Sequence, residues 1–293
     1  MTLSFSDVAV ATDWFELACL SRTASLLRRS EMARIVEEAE PNMDEEGIEN
    51  AVNDISAEIR RRSERAGSLY PLTVDLYGVH RRSVATEVER LYLFLTLCSA
   101  VPHFRKNQVG FEPGRIFERI AAVALAQFTA GIAVVFADLP SKGVRSRIRE
   151  LGRLLNVADH AERARRQRKD HGLDVASWRA FPDARAAHPV FLCQCALARK
   201  PMTLLRKARE VQPSVWGGLL DLREGSFTAA LAVPHAMEPG YEYWDELRRN
   251  TDLILERIRL LSLLDGSSDW VEKLPPSGVV DAAVQDWIAA QAT

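Results

Sequence analysis

Two short segments hold the side chains best suited to chemistry. They are Lys169-Asp170-His171-Gly172-Leu173-Asp174-Val175-Ala176-Ser177-Trp178 and Phe191-Leu192-Cys193-Gln194-Cys195-Ala196. Each reads as a strand, and a polar loop with Pro182, Asp183 and Pro189 separates them. Strand side chains alternate faces, so Asp174 goes with Ala176 and Trp178, and Gln194 with Leu192 and Ala196. Antiparallel pairing brings Asp174 and Gln194 to one side. A carboxylate and an amide oxygen are hard donors suited to Mg²⁺ or Mn²⁺. An ion so held polarises a phosphate ester and acidifies a water. Cys193 and Cys195 then point to the opposite face as core thiols.

A basic stretch precedes the first segment. Arg145, Arg147, Arg149 and Arg153, then Arg163, Arg165, Arg166, Arg168 and Lys169, lead into Asp174. Beside a metal site, such a lip grips a phosphate backbone, with affinity that falls as salt rises. Elsewhere it is a solvated helix face.

Gly172-Leu173-Asp174-Val175, Trp178 and Gln194-Cys195-Ala196 resemble the GLDVVAW…QCA signature of a PD-(D/E)xK, restriction-endonuclease-like nuclease group from bacterial anti-phage and restriction modules. Phe117-Glu118 looks like the FE of that group's first core helix, and Leu253 to Arg259 is similar to its ending. The likeness covers roughly residues 111–264. It implies a DNA endonuclease of a defence system, with Asp174 the central metal ligand, Gln194 in the second-acid position and Glu118 assisting. The family pattern wants a lysine two residues after the second acid, where this chain has Ala196. Lys200 and Lys207 follow closely, and either is long enough to reach back as a migrated lysine.

The elements that would position these groups divide into two parts. Periodicity predicts helices from Asp13, from Ser30-Glu31, over 45–66 and over 87–100. The 45–66 helix puts Ile48, Val52, Ile55 and Ile59 on one face and Arg60, Arg61, Arg62 and Arg65 on the charged remainder. Tyr70 to Val74 reads as an extended connector. Pro102, Gly110, Pro113 and Gly114 mark a boundary. This gives a helical domain over 1–105, for interaction or sensing, and a nuclease-like domain over 106–293. In the second, helices are expected over 115–129, 144–155, 203–211 and 256–264. Strands are expected over 132–136, 173–178, 190–196, 227–233 and 253–254. A turn at 275–278 leads into a last helix. The expected class is α/β, or α+β overall, with a central mixed sheet in the second part.

Composition narrows the function. With 293 residues, 47% hydrophobic and 27% charged, the chain supplies ample core. A net charge of −2 rules out a bulk polycation, so nucleic-acid affinity must be local. The four cysteines, Cys19, Cys98, Cys193 and Cys195, form no zinc-finger spacing. The N-terminus lacks a signal-peptide pattern and the longest apolar stretch, 120–136, is too short and interrupted to span a bilayer, so a cytoplasmic protein off the membrane is expected. P-loop, GxGxxG, HExxH and GxSxG motifs are absent from the sequence. Partners expected are DNA and either a protein or a second copy bound through the helical part. Two rivals stand beside the nuclease: an inactive nuclease fold that binds DNA or scaffolds a complex, and a helical adaptor without nucleic acid.

Overall fold

The computed structural model describes residues 7–21, 25–101, 104, 112–140, 143–164, 171–183, 185–186, 188–222, 227–238 and 240–291. The chain is mixed α/β and helix-rich. Its first part runs α1 (Val8–Leu20), β1 (Leu26–Arg28), α2 (Arg29–Ala39), α3 (Glu45–Ala66), β2 (Leu72–Val74), β3 (Gly78–Arg81) and α4 (Thr86–Ala100). Asp44 caps α3, its carboxylate accepting from the Gly47 N–H at 2.9 Å. The strands make a small antiparallel sheet in the order β1-β3-β2. The expected connector at 70–74 is therefore partly a strand, and β1 and β3 are additions. Strands of three or four residues are too short to show alternation.

The second part runs α5 (Pro113–Thr129), β4 (Ile132–Val135), α6 (Val144–Leu155), β5 (Val175–Trp178), β6 (Val190–Cys195), α7 (Pro201–Ala208), α8 (Pro213–Trp216), β7 (Phe227–Ala232), α9 (Trp244–Asn250), β8 (Leu253–Leu255), α10 (Arg257–Leu264) and α11 (Ser277–Gln291). Pro113 and Pro201 sit in the first turns of α5 and α7, where a missing N–H costs nothing. That is why α7 starts before the expected Thr203. The strands form one open sheet in the order β4-β5-β6-β7-β8. β4, β5 and β6 pair antiparallel, whereas β7 lies parallel to β6 and β8 parallel to β7. Helix α7 lies on the connection from β6 to β7, as a parallel crossover requires.

Alternation assigns the two sheet faces. Val175, Cys193, Ala230 and Ala232 join one apolar cluster with α5 and α10, while Ala176, Leu192 and Ala229 join a second with α6 and Trp216. The first cluster extends from Ala11 through Ile59 and Phe94 to Trp287, so it crosses from the N-terminal helices into the sheet-bearing part. Trp287 of α11 meets Trp14 of α1 edge-on at 5.6 Å, which docks the last helix on the chain's own core.

A buried charge network ties the same parts together. Arg62 of α3 and Arg257 of α10 are both fully buried. Arg62 pairs with Asp13 at 2.8 Å, Glu16 at 2.9 Å and Glu58 at 2.8 Å. Arg257 pairs with Asp13 at 2.9 Å and Glu16 at 3.3 Å and donates to the Pro234 carbonyl at 2.8 Å. Arg62 was expected on a solvated face, and its burial corrects that reading. The buried acids of α1 outweigh the helix's simple amphipathic pattern. Among the described residues, no helix is long and apolar enough to cross a membrane.

Candidate functional site

The β5–β6 register opposes Val175 to Cys193, so the residues just before and after are Asp174 and Gln194, directly across from one another. Asp174 is 9% exposed and Gln194 2%. The Gln194 Nε2 donates to Asp174 Oδ2 and, at 3.0 Å, to the Cys195 carbonyl. The Cys195 N–H donates to the same Asp174 oxygen at 2.7 Å. Two acceptors around Nε2 fix the amide's orientation. Its oxygen, Oε1, is then turned the other way, buried and without a hydrogen-bond partner.

A tight turn carries Asp174 into the sheet. His171 and Gly172 have φ of +51° and +78°. At Gly172 the space is as demanding as the dihedral. A Cβ there would lie 2.3 Å from Glu210 Cβ, 2.8 Å from Glu210 Oε2 and 3.2 Å from Gln194 Oε1. Only glycine permits this approach. Glu210, in the turn after α7, is thus a member of the site that the sequence did not reveal. Its carboxylate holds Lys207 Nζ at 2.9 Å and Arg206 Nη1 at 3.2 Å.

The other expected residues fall around this centre unequally. Lys207 reaches it through Glu210, whereas Lys200 is exposed at the N-cap of α7, with no hydrogen bond or ion pair to the site among the described residues. Glu118 is carried by α5, on the Val175 and Cys193 side of the sheet, opposite the face of Asp174 and Gln194. It pairs with Arg115 at 2.7 Å. Both acids are felt at Cys195: burial first, then Cys193, Asp174 and Glu118 push its thiol well above the ordinary range. Arg163 is exposed and its Nη1 lies 3.5 Å from the Gly218 carbonyl. Arg165, Arg166, Arg168 and Lys169 lie outside the described residues. Arg145 has a structural task, donating to the Glu162 and Ala164 carbonyls at 2.7 and 3.1 Å.

The oxygens nearest this centre are the Asp174 carboxylate, whose Oδ2 is held by two N–H groups, and the Gln194 amide oxygen; the Glu210 carboxylate lies across Gly172, engaged by Lys207 and Arg206. Mg²⁺ and Mn²⁺ take one or two carboxylates and complete their shells with water, and a buried, unpartnered amide oxygen suits such an ion. Among the described residues, no three His, Cys, Asp or Glu side chains gather into a metal-binding group, so an ion here depends on the amide. The chain matches no protein-family model, no curated protein and no solved structure.

Proposed function

We propose that this chain is a Mg²⁺- or Mn²⁺-dependent DNA endonuclease of the PD-(D/E)xK kind, acting in a bacterial defence system. The carrying observation is the Asp174–Gln194 pair across antiparallel β5 and β6, at the mouth of a mixed sheet. The metal, when bound, supplies positive charge to the scissile phosphate and acidifies the attacking water. Asp174 and Gln194 would hold it; in the structure the amide turns Nε2 toward the carboxylate, so the amide has to rotate for both oxygens to meet one ion. Lys207, paired with Glu210 next to Gly172, would offer its ammonium to the phosphate. Arg163 and the basic residues that follow it serve as the phosphate-gripping lip.

The helical N-terminal part takes a different partner. Glu45, Glu46, Glu49 and Asp54 are exposed on the first half of α3 and repel phosphate, which favours a protein contact there. One observation favours an inactive DNA-binding version of the fold as the second reading. Ala196 occupies the place of the family lysine and is buried, its N–H bonded to the Ala232 carbonyl at 2.9 Å.

Incubation of the protein with plasmid, linear and single-stranded DNA, in Mg²⁺, Mn²⁺ or EDTA, tests the proposal. Metal-dependent cutting is expected. Salt-sensitive binding without cutting would select the inactive version, and absence of both would leave a protein adaptor.

A further inference from the structure

We infer that the cavity between α3, α9 and α10 binds a small organic phosphate, of the chemistry and size of a nucleoside monophosphate. This stands apart from the nuclease reading. The residues involved belong neither to the Asp174–Gln194 pair nor to the basic stretch before it.

The cavity measures about 290 Å³, and Arg61, Arg65, Glu238, Trp244 and Arg259 are among the residues that line it. Small-molecule sites run from roughly 300 to 1,000 Å³, so it has room for one compact ligand and not for a nucleic-acid strand. Its three arginines do not count equally. Arg61 is neutralised, donating to both Glu58 oxygens at 2.6 Å and to the Met237 carbonyl at 3.2 Å. Arg65 and Arg259 have no carboxylate partner among the described residues. The Arg259 guanidinium lies 4.7 Å over the Trp244 ring and donates from Nη1 to the Ile254 carbonyl at 2.9 Å. Ring and carbonyl fix its place and leave its other N–H groups for a ligand. Arg65 comes from α3 and Arg259 from α10, so two separate helices deliver uncompensated guanidiniums to one cavity. Planar forked donors of this kind match the oxygens of a phosphate in pairs.

The rest of the lining calls for more than a bare anion. Trp244, Met237 and Ile258 supply an apolar wall. Glu256 also lines the cavity, but its carboxylate is already satisfied by the N–H groups of Met237, Ile258 and Arg259. The Glu238 carboxylate has no hydrogen bond or ion pair among the described residues. It repels an inorganic anion and accepts from a hydroxyl or amine. A phosphate at one end, a flat apolar body and hydrogen-bond donors at the other are the chemistry of a nucleoside monophosphate. Such a ligand would join α3 of the first part to α9 and α10 of the second.

Calorimetric titration of the full chain with AMP and GMP, and with inorganic phosphate and adenosine as the separate parts, tests this without DNA. One nucleotide per chain should bind, more tightly than phosphate or adenosine alone, and should raise the melting temperature. Arg65→Gln and Arg259→Gln should each weaken binding by about tenfold or more, the loss expected for a hydrogen bond to a charged group. Arg60→Gln, exposed on the same helix but outside the cavity, should leave it unchanged. Arg65 is exposed and without an ion pair, so its variant should fold, which matched circular dichroism checks. No binding of either nucleotide up to about 1 mM would overturn the inference. Phosphate binding as tightly as AMP would reduce the site to an anion contact, and wild-type affinity in Arg65→Gln would place the nucleotide elsewhere; either result also overturns it. Failure here leaves the nuclease reading intact, and failure to cut DNA leaves this site intact.

Discussion

Asp174 Oδ2 accepts from both the Gln194 side-chain amide and the Cys195 backbone N–H, so one carboxylate orients the residue directly across the strand pair and anchors the end of β6. The neutral amide matters. A second carboxylate would face Asp174 at contact distance, and two acids that close cannot both ionise cheaply.

Gln194→Glu should therefore acquire a pH-dependent instability that wild type lacks. One carboxyl of the pair has its folded pKa raised above its unfolded value of about 4. The folded state then binds more protons than the unfolded one, and stability falls as pH rises above about 4 until the raised pKa is passed. Urea denaturation across pH 4.5–8 measures this, and added Mg²⁺ should reverse it. Parallel pH curves for variant and wild type would show that positions 174 and 194 do not share one charge environment.

Removing one partner of the buried network should cost far more than any surface change. Burial pushes the Asp13 carboxyl up, but Arg257, Arg62 and Arg199 overrule it and hold it well below the usual carboxylate range. Arg257→Met leaves Asp13 and Glu16 under-compensated, and Asp13→Asn does the same to the arginines. Each should lose about 3–5 kcal/mol in denaturant melts. Because the folded pKa of Asp13 is depressed, its contribution is present above about pH 4 and is lost as pH falls. Asp13→Asn should accordingly flatten the acid limb of the stability curve.

Gly172→Ala should destabilise by more than about 1 kcal/mol, since both the φ of +78° and the 2.3 Å approach of Glu210 Cβ oppose a side chain. Ala substitution at the exposed Gly240, where a Cβ meets nothing within 4 Å, is the control and should be near neutral. Equal stabilities would refute the tight packing of Glu210 over the turn.

The thiols should be inert in the native protein. Burial and acidic neighbours raise the Cys195 thiol, and Cys19, Cys98 and Cys193 are buried. Iodoacetamide at pH 8 should label them only as fast as the chain unfolds, because the thiolate is the reactive form. Rapid native labelling of Cys195 would contradict the electrostatics drawn around Asp174.

Much of this architecture is legible in the residues. The 45–66 helix has the expected limits because its apolar steps and its Asp44 cap agree. Alternation allows Asp174 and Gln194 to share a face if the two strands pair antiparallel, and the observed register sets them opposite one another. Partners far along the chain were not legible. Arg62 reads as one of four surface arginines until Asp13 and Glu16, on another helix, draw it inside. Glu210 joins the site because α7 folds back over the 171–172 turn. The available signals were faint: a glycine two residues before the acid, and a Lys207–Glu210 pair three residues apart on one helical turn. Glu118 is a candidate through the Phe117-Glu118 resemblance alone, and its helix packs on the other face of the sheet.

The most direct test of the central claim is the rate at which wild type and Asp174→Asn convert supercoiled plasmid in Mg²⁺ and in EDTA. The account predicts cutting by wild type in Mg²⁺ only. It predicts a loss of more than about 100-fold in Asp174→Asn, beyond the ~10–100-fold typical of outer-shell partners. Cutting at equal rates by both proteins, or by wild type in EDTA, would contradict a metal site centred on Asp174.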